Sequence, residues 1–282
     1  MKPQSQIDGS LGEAMTRLES LRRLRQSQTP EPVQNVQLPL WPDSMRATPN
    51  AWLRSALFAA IQGKQRQALK RQLLAAITGV EIRFTGWQLD QSDRDVLDTI
   101  VHLSRRQAIG QKESFTARGV LLALGLNTGK ADHEWLKDSM ARLYSAGIEI
   151  TVARRFTYFG ALLKGARDEL TGHYIVELDP KLVSMYASGW TQIEWVERRT
   201  LRRKPLAQWL HGWYCSHAVP YPLKVETLQK LSGSCNRQLA SFRRQLTKAL
   251  DDLGQLGLIK NWELRGDMVH VIVKPKNKKE RA

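Results

Sequence analysis

Residues 234–253, SCNRQLASFRRQLTKALDDL, carry two patterns at once. At about 100° per residue, Leu239, Phe242, Leu246, Leu250 and Leu253 fall on one face of a helix, and Arg237, Ser241, Arg244 and Lys248 line the opposite face. The apolar back suits a core; the front, with three cations and no acid, suits a polyanion. A solvated face is the plainer fate of such a stripe, but the lack of any acid among the four aligned positions favours duplex DNA. Ser234 stands where an N-cap belongs, and Gly254 and Gly257 stand where the helix should stop.

Upstream, Leu223, Val225, Leu228 and Leu231 predict a shorter helix ending at Gly233. Two helices joined by a tight turn read as a helix-turn-helix whose second helix enters a major groove. Downstream, 258–264 and 268–273 are β-prone runs around Arg265, Gly266 and Asp267, the pattern of a hairpin. That order is the order of a winged helix. Asn236 and Arg265 join Arg237, Ser241, Arg244 and Lys248 as candidate DNA contacts.

A chain of 282 residues accommodates two modest domains with connecting segments. Its formal charge of +16 and pI near 10.1 call for a polyanionic partner, a class that includes nucleic acid and anionic membrane surfaces. Residues 181–282 hold 19 Lys and Arg against 8 Asp and Glu, so the duplex-binding surface is expected there. Only Cys215 and Cys235 occur, nothing reads as a signal peptide, and no apolar run approaches bilayer length; a cytoplasmic protein without a membrane partner is expected.

The sequence divides into five stretches. Residues 1–36 are polar, flexible or partly helical, with Leu11, Met15, Leu18 and Leu21 in an amphipathic series. Residues 37–76 join an extended segment, QLPLWP, to a basic linker helix read over 50–76. The QLPLWP segment either packs on its own domain or offers Leu38, Leu40 and Trp41 to a pocket on a partner. A first winged helix is read over 77–180: a strand at 80–84, helices at 92–107, 115–124 and 132–145, and strands at 148–152 and 173–178 around a long basic wing at 154–172. A second fills 181–274, and 275–282 is a basic tail. The expected fold class is α+β, with two tandem winged-helix domains.

The third helix of the first unit presents Glu134, Asp138, Ala141 and Ser145, so primary duplex reading is expected of the second unit. The first would touch DNA through Thr116, Arg118, Lys137 and Arg142. Between the units, Arg198, Arg199, Arg202 and Arg203 precede a helix with Leu206, Trp209, Leu210, Trp213 and Tyr214 inward. They stand where the first helix of such a domain crosses phosphates; a solvated basic patch is the alternative.

Catalytic patterns fail on inspection. GALLKG at 160–165 is followed by Ala166 and Arg167, not the Lys and Ser/Thr of a phosphate loop, and GLNTGK at 125–130 is one residue short. His211, Cys215 and His217 lack a fourth ligand, so no metal or other cofactor is expected. No His-x-His pair or tight acidic cluster suggests nuclease chemistry. The reading is of a non-enzyme. A tyrosine nucleophile of a recombinase or nicking protein stays open, as does a repressor that never opens DNA.

LPLWPDSMRATPN (38–50), RSALF (54–58), TGVEIRFTG (78–86), IEW (193–195), SHAVPYPLKVETL (216–228) and SGS (232–234) resemble the TrfA-type plasmid replication initiators. The resemblance runs from about Leu38 to the last hairpin and leaves 1–36 outside. It implies two winged-helix domains that bind directly repeated origin sites, the iterons, as a monomer. It also implies melting of adjacent AT-rich DNA with contact to the single strand, recruitment of host helicase and initiator, an inactive homodimer and a part in copy control. Gln37, Leu38, Leu40 and Trp41 resemble the short motif that docks on the host sliding clamp, departing from it at Pro39 and at Trp41 in place of Phe.

Overall fold

The computed structural model describes residues 38–108, 110–152 and 156–274, so the 1–36 segment, Gln37 and the 275–282 tail lie outside the described residues. Strand β1 (Met45–Pro49) runs into one helical turn, α1 (Asn50–Leu53), and a two-residue strand, β2 (Phe58–Ala59). Strands β3 (Ala68–Leu74) and β4 (Val80–Trp87) then form an antiparallel pair around Gly79, whose φ of +88° no side chain favours. This corrects the basic helix expected over 50–76. Its Ala, Gln, Lys and Arg content favours helix, but Leu74 sits opposite the buried Ile82, and tertiary pairing overrides propensity.

Strand β5 (Leu89–Asp90), parallel to β2, leads into α2 (Gln91–Ser104). Asp90 caps the helix by accepting the Ser92 and Asp93 N–H groups at 2.9 and 3.0 Å, and the Asp93 carboxylate accepts the Asp90 N–H at 3.1 Å, a reciprocal capping box. Next come β6 (Lys112–Thr116), α3 (Ala117–Leu124) and α4 (Lys130–Ser145). Gly125, at φ +69°, ends α3 in the left-handed conformation usual for a helix C-terminus.

Strands β7 (Gly147–Val152), β8 (Phe156–Ala161), β9 (Lys164–Arg167) and β10 (His173–Glu177) complete two sheets, ordered β3-β4-β7-β8 and β6-β10-β9. The long wing expected over 154–172 is therefore a strand in each of two sheets. Tyr158, Leu162 and Leu163 are core residues, which an exposed wing cannot supply. After α5 (Pro180–Val183), strand β11 (Trp190–Glu194) returns to pair with β1. Leu182, Val183 and Trp195, read with the second unit, thus pack in the first core.

Helix α6 (Trp195–Thr200) leads to the second core, which is built from α7 (Pro205–Cys215), β12 (Leu223–Lys224), α8 (Val225–Leu231), α9 (Leu239–Gln255), β13 (Ile259–Arg265) and β14 (Met268–Val273). Trp209, Leu210 and Trp213 of α7 meet Val225 and Leu228 of α8 and Phe242, Leu246, Leu250 and Leu253 of α9. The expected start of α9 at Ser234 moves to Leu239. Ser234 Oγ accepts the Asn236 N–H and Asn236 Oδ1 accepts the Gln238 N–H, local bonds that compete with helical ones.

The second core borrows from the N-terminal region. Ala60 N–H donates to Ser232 O at 2.7 Å, and the Trp209 indole donates to Ser55 O at 3.0 Å. Gly233, at φ +61°, lies so close to Ala59 that an added Cβ would stand 2.9 Å from its methyl.

The fold is mixed α/β. Helix, short strand, helix, helix and hairpin occur in that order twice, with one difference in pairing. β12 joins β13 and β14 in a single sheet, whereas β6 pairs with β10, outside the sheet that holds β7 and β8. Among the described residues no helix is long and apolar enough to cross a membrane.

Candidate nucleic-acid interface

Helix α9 turns Phe242, Leu246, Ala249, Leu250 and Leu253 into the core, and this fixes what faces outward. Arg244 and Lys248 are exposed on the helix, and Arg237, expected on the same helical face, lies instead in the turn before Leu239; all three are exposed and take no hydrogen bond or ion pair among the described residues, and Ser241 is half-buried. The acids at the far end of the helix are occupied. Lys204 pairs with Asp252 at 2.7 Å, and the Trp262 indole donates to Asp251 at 3.1 Å. Lys204 offsets the charge of Asp252, while Asp251 keeps its charge at the C-terminal end of the helix, two turns from Arg244.

Arg243, one position from Arg244, does something else. It donates to Gly266 O at 3.0 Å and pairs with Asp267, tying the hairpin tip to the helix. Arg265 pairs with Glu263 at 2.5 Å on the same hairpin. Asn236 is held in the turn, its carbonyl accepting from Gln229 Nε2 at 2.7 Å. Beside the helix opens a cleft of about 520 Å³ lined by Arg203, Lys204, Asn236, Arg237, Gln245 and Lys248. Gln245 was missed in the sequence because charge counting passes over an uncharged donor.

The arginines expected to cross phosphates are mostly engaged elsewhere, which corrects that reading. Arg198 is 0% exposed and pairs with Asp95 at 2.7 Å. Burial lowers its pKa to about 10, which leaves it charged near neutrality. Arg202 donates to Gly125 O at 2.8 Å and to Leu124 O, satisfying the C-terminal carbonyls of α3. The guanidinium of Arg199 lies over Gly125, in the space a side chain there would need. Only Arg203 is exposed and without a partner among the described residues.

In the first unit, Arg142 is also diverted: it forms a bidentate pair with the fully buried Asp93 at 2.8 Å, beside Ser139 Oγ at 2.7 Å. Arg66 reaches the same carboxylate at 2.9 Å, and these partners hold Asp93 below its usual pKa. Thr116 uses its hydroxyl to cap α3, accepting the Gly119 N–H at 2.9 Å. Arg118 and Lys137 remain exposed and unpartnered among the described residues.

Of its two readings, the clamp-like segment takes the one in which it packs on its own domain. Leu38 and Trp41 are 3% and 4% exposed, and only Leu40, at 69%, faces solvent. The Trp41 indole donates to His102 Nδ1 at 2.9 Å, and its ring is parallel to Tyr186 within 3°. Burial, with Arg46 and Arg105 nearby, drives His102 down to about 3, so the acceptor is neutral. Among the described residues no cluster of His, Cys, Asp and Glu could hold a metal ion.

The sequence model of the TrfA protein family matches residues 16–273. The plasmid replication initiator protein TrfA of Escherichia coli is 28% identical over 259 residues, 86% of this chain, and the chain spans 66% of that protein's length. The crystal structure of selenomethionine derivatives of domain 2 and domain 3 of RctB aligns with a TM-score of 0.54 at 13% identity. The match covers 81% of this chain and 99% of that one, and is a likeness of fold alone.

Proposed function

Because the chain belongs to the TrfA protein family, we propose that it is a plasmid replication initiator that binds duplex origin DNA through the front of α9. The observation that carries this reading is the set of free cations, Arg237, Arg244 and Lys248, left exposed while the acids at the other end of α9 are occupied. In this reading both halves act as winged-helix modules. α9 lies in the major groove with Arg244 and Ser241 toward base edges; Arg237, Lys248 and Arg203 take phosphates along the adjoining cleft. The first half adds backbone contacts through Arg118 and Lys137.

The sites are directly repeated, and occupation of several promotes melting of neighbouring AT-rich DNA and recruitment of host helicase and initiator. The protein acts in the cytoplasm by binding, without catalysis. The test is a footprint of the purified protein, at stated salt, on the DNA beside its own gene. Protection repeating at about two helical turns, roughly 20 base pairs, is the expected result. A single palindromic footprint would mark a dimeric repressor and end the initiator reading.

A further inference from the structure

The two cores meet across a polar joint in which Arg198 is fully buried, while Gln91, Asp95 and Gln208 also border an open cleft. Arg198 on α6 fills four donor positions there. Nε donates to Asp95 Oδ1 of α2 at 2.7 Å, one terminal nitrogen to Gln208 O of α7, and the other to the carbonyl and side-chain oxygens of Gln91 at 3.1 and 3.0 Å. Gln208 returns a bond to the second oxygen of Asp95 at 3.2 Å. Beside it Arg94 pairs with Asp98 at 3.1 Å, and Gly212 of α7 lies so close that an added Cβ would stand 2.7 Å from the Arg94 guanidinium and 2.9 Å from Leu53.

A buried guanidinium tolerates little displacement, because each donor left unpaired in a dry site costs its full desolvation. Sliding or rotating α7 against α2 would break several of these bonds together. The same short helix grips the first helix-turn-helix through Trp195, whose Nε1 donates to Ala123 O at 3.1 Å; Arg202, just past its end, donates to the carbonyls at the end of α3. So α6 is bonded at once to α2, α3 and α7.

We propose that Arg198 is a positioning residue for DNA recognition, holding α4 and α9 in one register so that the protein accepts its two contact tracts at a single spacing along the duplex. This rests on the duplex-binding reading above. An inserted base pair shifts one tract by about a tenth of a turn relative to the other, which a locked joint cannot follow.

The experiment uses the full chain and its footprinted site with zero, one, two and ten base pairs inserted between the tracts. Three proteins are compared: wild type, the charge-free pair Asp95→Asn with Arg198→Met, and Gly212→Ala, which wedges the joint while keeping every polar group. Wild type should lose about tenfold or more in affinity on one inserted pair. The variants should bind the native spacing more weakly yet lose under about threefold on insertion, a change that mere destabilisation would not produce.

Spin labels at Ala141→Cys and Ala240→Cys, with Cys215→Ser and Cys235→Ser, give a second readout: one narrow distance in wild type and a broadened or shifted one in the variants. The proposal falls alone if wild type protects one tract only, if it tolerates insertion, or if both variants keep wild-type spacing dependence or distances. If wild type protects no specific site, the duplex-binding reading falls and takes this proposal with it.

Discussion

The cations of α9 and those of the stretch around α6 look alike in the sequence and end differently. On α9 the apolar residues recur every three to four positions, so Arg244 and Lys248 share one outward side and meet no acid, while Arg243, one position round, is taken by Asp267. Arg198 and Arg202 lie where two cores close on each other. There α2 presents the carboxylate of Asp95, and α3 presents bare carbonyls at its C-terminus. Whether an arginine serves a partner or the fold is decided by the acceptors its own chain brings to it; net charge counts both kinds equally.

Four measurements break or sharpen this contrast. Arg198→Ala should be the most damaging, lowering stability by about 3–5 kcal/mol in urea unfolding because it leaves Asp95 buried and unpaired. If it instead weakens DNA binding at unchanged stability, the contrast fails. Trp41→Ala should cost about 3–5 kcal/mol, as removal of a buried indole does. Leu40→Ala, its exposed neighbour, should stay within roughly 0.5 kcal/mol. Equal and small effects would return the segment to the surface.

On α9, Arg244→Ala should cost about 1–3 kcal/mol of binding and relax preference at one base pair, with thermal unfolding unmoved. Lys248→Ala should weaken binding on all sequences alike and reduce the salt slope by about one. A loss of folding stability in either would put these side chains with those of α6.

The last effect is one of pH. His102 titrates near 3 in the fold against about 6.5 in the unfolded chain, so between those values the unfolded chain binds more protons. Stability should therefore fall as pH drops below about 6.5, with a His102 contribution approaching about 1.4 kcal/mol per pH unit. His102→Gln, which keeps an acceptor for the Trp41 indole, should flatten the curve between about pH 4 and 6. Parallel curves for the two proteins would show that His102 is already protonated when folded.

The longer helices were legible because each carries its apolar face within its own window. Leu206, Trp209, Leu210 and Trp213 announce α7 without any distant partner, and the same holds for the front of α9. What stayed hidden depends on distant residues. β3 is a strand only because β4 is there to pair with it. Arg142 looks as available as Lys137 until Asp93, on another helix, is placed beside it. The QLPLWP segment could be read as an anchor because nothing near it reveals His102 and Tyr186.

The loan of Ser55, Ala59 and Ala60 to the second core bears on how the protein is made. Synthesis runs from the N-terminus, so the floor beneath the turn before α9 leaves the ribosome long before the turn itself. A nascent chain closes its second core onto a surface already formed. A fragment beginning after Thr200 would have no such surface. The Trp209 indole and the Ser232 carbonyl would lose their partners, and Gly233 would turn over empty space. The half that carries α9 is thus not a portable module. It depends on a segment whose Leu57 and Phe58 are themselves part of the first core.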